Sequence, residues 1–239
     1  MTTVPPGRAG SGERHGSVLG ALGAGVVSGA LTPGTVLTLE GICAEYAVSR
    51  SVAREAVRVL ESMGLLSSRR RVGVTVLPRT SWNVFDPRVV GWRLDSGDRV
   101  DQLLSLSELR RGVEPVAAAL AAGRATTEQC RALAGAVLDM EVHGRAGELK
   151  PYLRADQAFH RTLLEASGNE MLAALSGLVA EVLGGRTHHG LMPDRPNPAA
   201  VALHDAVARA VRAGDAASAE RAMRSIIEEA STAVSELDS

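Results

Sequence analysis

The stretch Ala47–Val76 constrains the fold most strongly, because a helical pattern is followed at once by two short strand patterns. Apolar residues recur with a period of about 3.6 residues over 49–63, which predicts an amphipathic helix. Gly64 is placed to end this helix, and Leu65 begins a short apolar strand. A second strand follows around Val74–Val76, so the stretch predicts a helix followed by a two-stranded hairpin.

One side of this unit is strongly basic. Arg50, Arg54 and Arg58 recur every fourth residue and therefore share a helix face, while Arg69–Arg71 lead into the hairpin turn. Residues 50–79 hold seven arginines and two glutamates, a net charge of +5, whereas the whole chain carries −1. Evenly spaced arginines also occur on ordinary solvated helices, but a basic patch on a mildly acidic chain is typical of a nucleic-acid-binding module.

A basic helix followed by a basic hairpin predicts a winged helix-turn-helix. The helix would enter a major groove of DNA, and the hairpin, or wing, would lie along phosphates. Thr38 is placed to cap the preceding, positioning helix. A weaker first helix is predicted over 18–30, with Val18, Leu22 and Val26 buried.

The run V-S-R-x-x-x-R-E-A-x-R-x-L-E-x-x-G-L, from Val48 to Leu65, closely resembles the DNA-binding domain of GntR-type bacterial transcription regulators. In that family, arginines matching Arg50 and Arg54 reach the operator. Gly41 stands where many members carry a further DNA-contacting arginine, which puts that contact in doubt. The basic face and the resemblance together predict DNA contacts by Arg50, Ser51, Arg54, Arg58, Arg69, Arg70, Arg71 and Gly73.

The predicted organisation is a disordered tail at 1–16, the winged helix-turn-helix at 17–78, a linker at 79–96 and a helical effector domain at 97–239. The chain lacks any run of 18 apolar residues, so a membrane span is not expected. Two distant cysteines fit a reducing compartment, and we expect a cytoplasmic protein.

The linker holds both tryptophans, Trp82 and Trp92, of a chain with only 3% aromatic residues. We therefore expect it to be packed and able to transmit movement between domains. Its pattern W-N-x-x-D-P-x-V-x-x-W is similar to the linker of galactonate- and ketogluconate-responsive regulators of the same family.

Beyond Gly97 the pattern is helical throughout, so the predicted fold is mainly α. We expect an antiparallel bundle of six or seven helices after the winged helix-turn-helix. One long helix is predicted over 99–123, with Leu103, Leu106 and Val116 facing inward. Another is predicted over 170–183.

Asp156 and His160 are four residues apart on one predicted helix, and His204 lies on a later one. A carboxylate with two imidazoles is a plausible set of metal ligands, although such a pair also arises by chance. The run D-x-x-F-H-R-x-L-L-x-A-S-G-N, starting at Asp156, is similar to the helical FCD domain of the FadR branch of GntR regulators. Metal-binding members use one Asp and three His, and the fourth position here is Ile226.

The aliphatic side chain of Ile226 at this fourth position predicts that no structural metal is held tightly. Asp156, His160 and His204 would then hydrogen-bond an organic effector, and a weakly held divalent metal such as zinc is the alternative. Arg110 matches the family segment in which an arginine reaches the pocket, and Arg186 is a second candidate cation. With Asn169 added, these groups suit a carboxylate bearing hydroxyls, which describes a sugar acid such as galactonate or gluconate.

The expected protein is a homodimeric transcription regulator, most simply a repressor, that binds two-fold operator DNA and responds to a small carboxylate. A metal-responsive repressor and a helical metal-dependent enzyme remain as alternatives. The enzyme is disfavoured because neither a general base nor a phosphate-binding loop accompanies the cluster.

Overall fold

The computed structural model describes residues 11–188 and 195–235. The chain divides into two compact units, the first ending at Gly97 and the second beginning at Asp98. None of the helices among the described residues is long and apolar enough to span a bilayer.

The first unit combines four helices with a small antiparallel sheet of strand order β1-β3-β2 in its described part. Its elements are α1 (Ser11–Val27), β1 (Val36–Leu37), α2 (Leu39–Glu45), α3 (Arg50–Ser62), β2 (Leu66–Arg69), β3 (Gly73–Val76) and α4 (Pro87–Leu94). The hairpin pairs Leu66 with Val76 and Arg69 with Gly73. The predicted winged helix-turn-helix is confirmed.

Local sequence explains where the two helices of the helix-turn-helix begin. The hydroxyl oxygen of Thr38 accepts a hydrogen bond from the backbone N–H of Gly41, and that of Ser49 accepts one from Val52. Such caps satisfy backbone donors that lack a partner within the helix. Gly64 follows α3 with φ +73°, a backbone conformation that favours glycine.

The core of the first unit lies between α1, α3 and the sheet. Ala53, Ala56, Val57 and Leu60 form the buried side of α3, and Val18, Leu22 and Val26 face them from α1. Helix α1 begins at Ser11, so the tail predicted over 1–16 is wrong for its last six residues. These six residues extend the helix that the three buried apolar side chains hold in place. Residues 1–10 lie outside the described part of the chain.

The segment predicted as a linker belongs to the first unit and contains a helix, α4, that the sequence did not predict. Trp82 and Trp92 pack against the core of this unit. The Trp92 ring lies so close to Gly23 that any side chain there would overlap it. Asp86 caps α4, and Pro87 occupies its first turn. The aromatic side chains thus attach residues 79–96 to the winged helix.

The second unit is all-helical, with seven helices among its described residues. They are α5 (Arg99–Arg124), α6 (Thr127–Ala146), α7 (Leu149–Ala166), α8 (Glu170–Ala173), α9 (Ser176–His188), α10 (Pro198–Ala213) and α11 (Ala216–Ser235). The capping box of Thr126 with Gln129 starts α6, and Asn197 caps α10. The prediction of a single helix over 170–183 is wrong, because this segment forms two separate helices, α8 and α9.

Helix α5 packs chiefly against α11 and also against α7 and α10. Its buried face carries Leu103 and Leu106 as predicted, but Val116 is 48% exposed. Arg110 and Glu114 lie on the buried face instead. The helix therefore buries a different face from the one that its apolar pattern predicts. The charged pair Arg110 and Glu114 lies in the core of the bundle.

Candidate functional site

The predicted DNA-binding arginines lie on the exposed side of α3. Arg50, Arg54 and Arg58 are all exposed, while the opposite side of the helix is buried in the core. Ser51 is exposed on the first turn of the helix, where its hydroxyl lies 2.9 Å from that of Ser49. The face therefore presents guanidinium groups to solvent with a rigid helix behind them.

Two of these arginines have acidic neighbours on the same surface. Arg50 is hydrogen-bonded to Glu40 of α2, and both side chains are about two-thirds exposed. A backbone hydrogen bond at the start of α2 lowers the pKa of Glu40, and the nearby charge of Arg50 adds to that effect. Arg58 lies 3.8 Å from Glu55. Exposed pairs of this kind are weak, so the arginines remain available to phosphates or bases.

The wing carries exposed Arg69, Arg70 and Arg71 at its turn. Arg71 has φ +67°, and Gly73 has φ +116°. A Cβ atom on Gly73 would lie 2.7 Å from the carbonyl oxygen of Leu37 in β1. Glycine is therefore required here by the sheet itself, because β1 passes close to the wing.

Gly41 is exposed and its backbone N–H donates to the Thr38 hydroxyl. A side chain here would begin only 3.1 Å from that oxygen. The position therefore contributes a capping hydrogen bond and no guanidinium, which leaves this part of the predicted DNA-binding surface to Arg50 and its partner Glu40.

In the second unit, the bundle brings Asp156, His160 and His204 together in its interior. Asp156 Oδ1 lies 3.4 Å from His160 Nε2 and 3.3 Å from His204 Nε2. All three side chains are buried, and one ligand atom from each lies within 4.8 Å of the others. The Phe159 ring packs edge-on against both imidazoles, with ring centroids 5.6 and 4.9 Å away, and closes the apolar side of the cluster.

Arg110 joins the same cluster together with Glu114, a residue that the sequence pattern did not indicate. Arg110 Nε donates to Glu114 Oε1 at 2.5 Å, and Glu114 Oε2 lies 2.6 Å from His160 Nδ1. Arg110 Nη2 lies 3.5 Å from His160 Nε2. Glu114 is fully buried. The spacing of four residues from Arg110 would have placed both on one helix face.

The outer hydrogen bonds of the two imidazoles determine which nitrogens face the cluster. His204 Nδ1 lies 2.7 Å from the carbonyl oxygen of Ala200, which can only accept, so Nδ1 carries the proton. The carboxylate of Glu114 faces His160 Nδ1 in the same way. In the neutral form of each ring, the Nε2 lone pair therefore points toward Asp156 Oδ1.

The charges of the cluster shift its pKa values strongly. Burial alone would raise the pKa of Glu114, but the adjacent Arg110 and His160 outweigh it and lower the pKa to about 2. Burial is likewise outweighed at Asp156, where the two nearby imidazoles lower the pKa of the carboxyl. Burial would lower the pKa of His160, but Glu114 and Asp156 raise it to about 9. Without another cation, His160 is therefore protonated at neutral pH.

The donor set fits a divalent metal ion. Asp156 Oδ1 and His204 Nε2 are buried and make no hydrogen bond to any residue in the described ranges. Their separation of 3.3 Å, and the 3.4 Å to His160 Nε2, are close to the edges of about 3.3–3.4 Å of a tetrahedron with zinc–ligand bonds near 2.05 Å. Charged hydrogen bonds would be shorter, about 2.7–2.9 Å. Two of the three separations thus match those between ligands of one ion, and the third is at most 4.8 Å.

Ile226, at the fourth ligand position expected from the resemblance, is buried in the apolar cluster that includes Phe159 and Val207. It cannot ligate a metal, so the chain supplies three ligands from this set. Three protein ligands with one position left for another molecule are typical of zinc sites that bind a substrate or water.

Two predicted effector residues, Asn169 and Arg186, remain, and the structure describes the side chain of the first. Asn169 caps α8, where its side-chain oxygen accepts from the N–H of Met171. It therefore has a local structural role. The side chain of Arg186 lies outside the described residues.

Comparison with known proteins places both units in recognised families. Residues 16–76 match the bacterial regulatory proteins of the gntR family, and residues 105–229 match the FCD domain. The chain is 31% identical over 208 residues to the galactonate operon transcriptional repressor of Escherichia coli (strain K12), covering 86% of this chain and 90% of that protein.

A second relative is the HTH-type transcriptional regulator LutR of Bacillus subtilis (strain 168). It is 31% identical over 207 residues, which cover 83% of this chain and 90% of LutR. The solved structure of Lar, from Listeria monocytogenes, matches with a TM-score of 0.59 and 17% identity over 98% of this chain and 100% of that one. At this identity the match shows a shared fold.

Proposed function

Because the chain belongs to the GntR family of bacterial transcription regulators and carries an FCD domain, we propose that it is an operator-binding repressor controlled by a small hydroxy carboxylate. A sugar acid such as galactonate or gluconate is the effector class that we favour. The similarity to the galactonate operon repressor over most of both chains supports this class. The chain is a transcription regulator and not an enzyme.

For the DNA-binding part, we propose a homodimer that binds a two-fold operator with one α3 helix in each half-site. Arg50 and Arg54 lie on the exposed face of α3 and would contact bases or phosphates. Arg58 and the wing arginines Arg69–Arg71 would contact phosphates, which supply most of the affinity and its salt dependence.

For the effector, the observation that carries the proposal is the convergence of three potential ligand atoms, Asp156 Oδ1, His160 Nε2 and His204 Nε2, in a buried site. A carboxylate effector would meet the carboxylate of Asp156 and the Nε2 lone pair of His204 there, which repel it, while the charge of a protonated His160 is already matched by Glu114 and Asp156. Arg110 is already engaged by Glu114. A free anion therefore needs an additional positive charge at this place.

We propose that Asp156, His160 and His204 hold a divalent metal ion such as zinc, contrary to the expectation based on Ile226. When bound, the ion supplies positive charge and a free coordination position for carboxylate and hydroxyl oxygens of the effector. His160 gives up its Nε2 proton when it becomes a ligand, while Glu114 and Ala200 hold the two rings in orientation.

The second candidate is direct binding of the effector without a metal. It is favoured by the two carboxylates beside His160, Glu114 at 2.6 Å and Asp156 at 3.4 Å, which raise the pKa of the ring, because an imidazolium could donate a hydrogen bond to an effector oxygen. In this case Arg110 would supply the remaining positive charge. The two candidates differ in their response to a chelator.

The test is operator binding, measured by fluorescence anisotropy at fixed salt, for protein treated with chelator and for the same protein reloaded with zinc. A panel of sugar acids is added to each. We expect a sugar acid to weaken operator binding in the zinc-loaded sample only. Release of DNA in both samples would support direct binding, and unchanged operator affinity in both would refute control by these acids.

A further inference from the structure

We propose that Glu114 is the positioning residue of the buried cluster: it fixes the His160 ring so that Nε2 faces Asp156 and His204 as a metal ligand. This inference rests on the proposed metal site for its consequence, although the ring orientation can be tested without any metal. Neither the sequence motif nor the resemblance singles out Glu114.

The two oxygens of Glu114 have different partners. Oε1 accepts from Arg110 Nε at 2.5 Å, and Oε2 faces His160 Nδ1 at 2.6 Å. Arg110 Nη2 is farther from Oε2, at 3.4 Å. A carboxylate that only neutralised Arg110 would form two short parallel bonds to the guanidinium. Here Glu114 Oε2 instead pairs with the imidazole of His160.

Glu114 determines which nitrogen of the His160 ring carries the proton. With Asp156 as the only acceptor, the proton would lie on the other nitrogen. A neutral imidazole carries one proton, and its position depends on the hydrogen bonds available to the two nitrogens. If Glu114 did not accept from Nδ1, the proton would move to Nε2 and be donated to Asp156 Oδ1, 3.4 Å away. The lone pair would then point away from the cluster, and His160 could not act as a ligand.

Arg110 helps Glu114 to position the His160 ring. Its guanidinium keeps Glu114 ionised in a fully buried position, where an unpaired carboxylate would be very costly. Glu114 in turn cancels the positive charge next to His160 Nε2, so the guanidinium repels an incoming cation less. The pair thus orients one ligand while adding no net charge to the site.

The test compares wild type with Arg110→Lys and with the double variant Arg110→Met/Glu114→Met. Replacing both charges by apolar side chains avoids leaving a buried charge without a partner, which a lone Glu114 substitution would do. The matched control is Arg110→Lys, because it keeps Glu114 together with a positive charge to pair with it. Folding of each protein is verified by circular dichroism and thermal unfolding.

The first readout is the imidazole tautomer, from two-bond nitrogen–proton NMR correlations of chelator-treated protein. The spectra are recorded at the high-pH end of an NMR titration of the same sample, where the His160 ring is neutral. We expect the Nδ1–H form of His160 in wild type and in Arg110→Lys, and the Nε2–H form in the double variant. His204 is the internal control and should keep Nδ1–H, because Ala200 still accepts from it. An unchanged His160 tautomer in the double variant overturns the proposal.

The second readout is zinc affinity, measured by competition with a chromogenic chelator. Loss of an outer hydrogen bond to a metal-binding imidazole typically lowers affinity by about 10–100-fold. We expect a loss of this size in the double variant relative to Arg110→Lys, and equal affinities would contradict the role of Glu114. If wild type shows the Nδ1–H tautomer but binds no zinc, the metal site fails while the positioning role of Glu114 stands.

Discussion

The two units of the chain use the same kind of ion pair in opposite ways. Arg50 pairs with Glu40 on the surface of the winged helix, where the side chains are 68% and 66% exposed. Arg110 pairs with Glu114 inside the helical bundle, where they are 3% and 0% exposed. Surface charges can exchange their partner for DNA, whereas buried charges are bound to one arrangement and organise what lies next to them.

The largest expected effect comes from breaking the buried pair. Glu114→Gln removes the charge that compensates Arg110, and we expect the free energy of unfolding at pH 7 to fall by about 3–5 kcal/mol. The control is Glu220→Gln, which breaks a pair of the same four-residue spacing with Arg224 that is more than two-fifths exposed. That change should cost less than about 1 kcal/mol. Chemical denaturation measures both, and equal losses would remove the contrast between the units.

The same variant gives a pH dependence of known sign. The pKa of Glu114 is lowered from 4.5 to about 2 in the folded protein. Its stabilisation is therefore present above pH 4.5 and is lost as the pH falls toward 2. The difference in unfolding free energy between wild type and Glu114→Gln should shrink over this range. A difference that stays constant would show that Glu114 does not act through its charge.

A smaller effect is expected on the surface of α3. Arg54→Ala should weaken operator binding by about 1–3 kcal/mol if Arg54 makes a bidentate contact with a base. Arg131→Ala, an exposed arginine on α6, is the control and should leave the affinity unchanged. Anisotropy titrations of both variants on one operator decide this. Wild-type affinity for Arg54→Ala would remove this residue from the DNA-binding surface.

Smaller still is the contribution of each wing arginine. Single alanine substitutions at Arg69, Arg70 and Arg71 should each reduce the slope of log affinity against log salt by about 0.9 for every phosphate that the variant no longer neutralises. They should weaken specific and non-specific DNA binding equally. A substitution that changes sequence preference without changing the slope would instead assign that arginine to a base.

The smallest change is expected from Glu40→Gln. It frees Arg50 from its carboxylate partner and removes a negative charge from the DNA-binding surface, so operator affinity should rise slightly. The same titrations measure it. A fall in affinity would mean that Glu40 orients Arg50 for DNA and does more than neutralise it.

The winged helix could be predicted from sequence because its rules are local. The caps Thr38 and Ser49, the apolar side of α3 and the turn at Gly64 are all set by residues within a few positions of each other. The basic face follows directly from the arginine spacing. The role of Gly73 required the fold, since the strand that excludes a side chain there comes from far earlier in the chain.

The helical unit was harder to predict because its site depends on contacts between distant helices. Asp156 and His160 were found from their spacing on one helix, and His204 as a polar residue among the apolar positions of a later helix. The apolar pattern of α5 placed Val116 inward and gave no reason to bury Glu114. A buried charge is stable only with partners, and its partner His160 is 46 residues away in the chain. Packing of Trp92 on Gly23 was hidden for the same reason.

The central proposal is that a sugar acid reaches the buried cluster through a metal ion, and thermal unfolding tests it most directly. Chelator-treated protein is heated with zinc alone, galactonate alone and both together. A ligand at 100 times its dissociation constant adds about 2.7 kcal/mol, or very roughly 5–10 °C for a chain of this size. We predict a shift with zinc, a larger one with both, and none with galactonate alone. An equal shift with galactonate in the presence of chelator would contradict the metal-bound effector and establish direct binding.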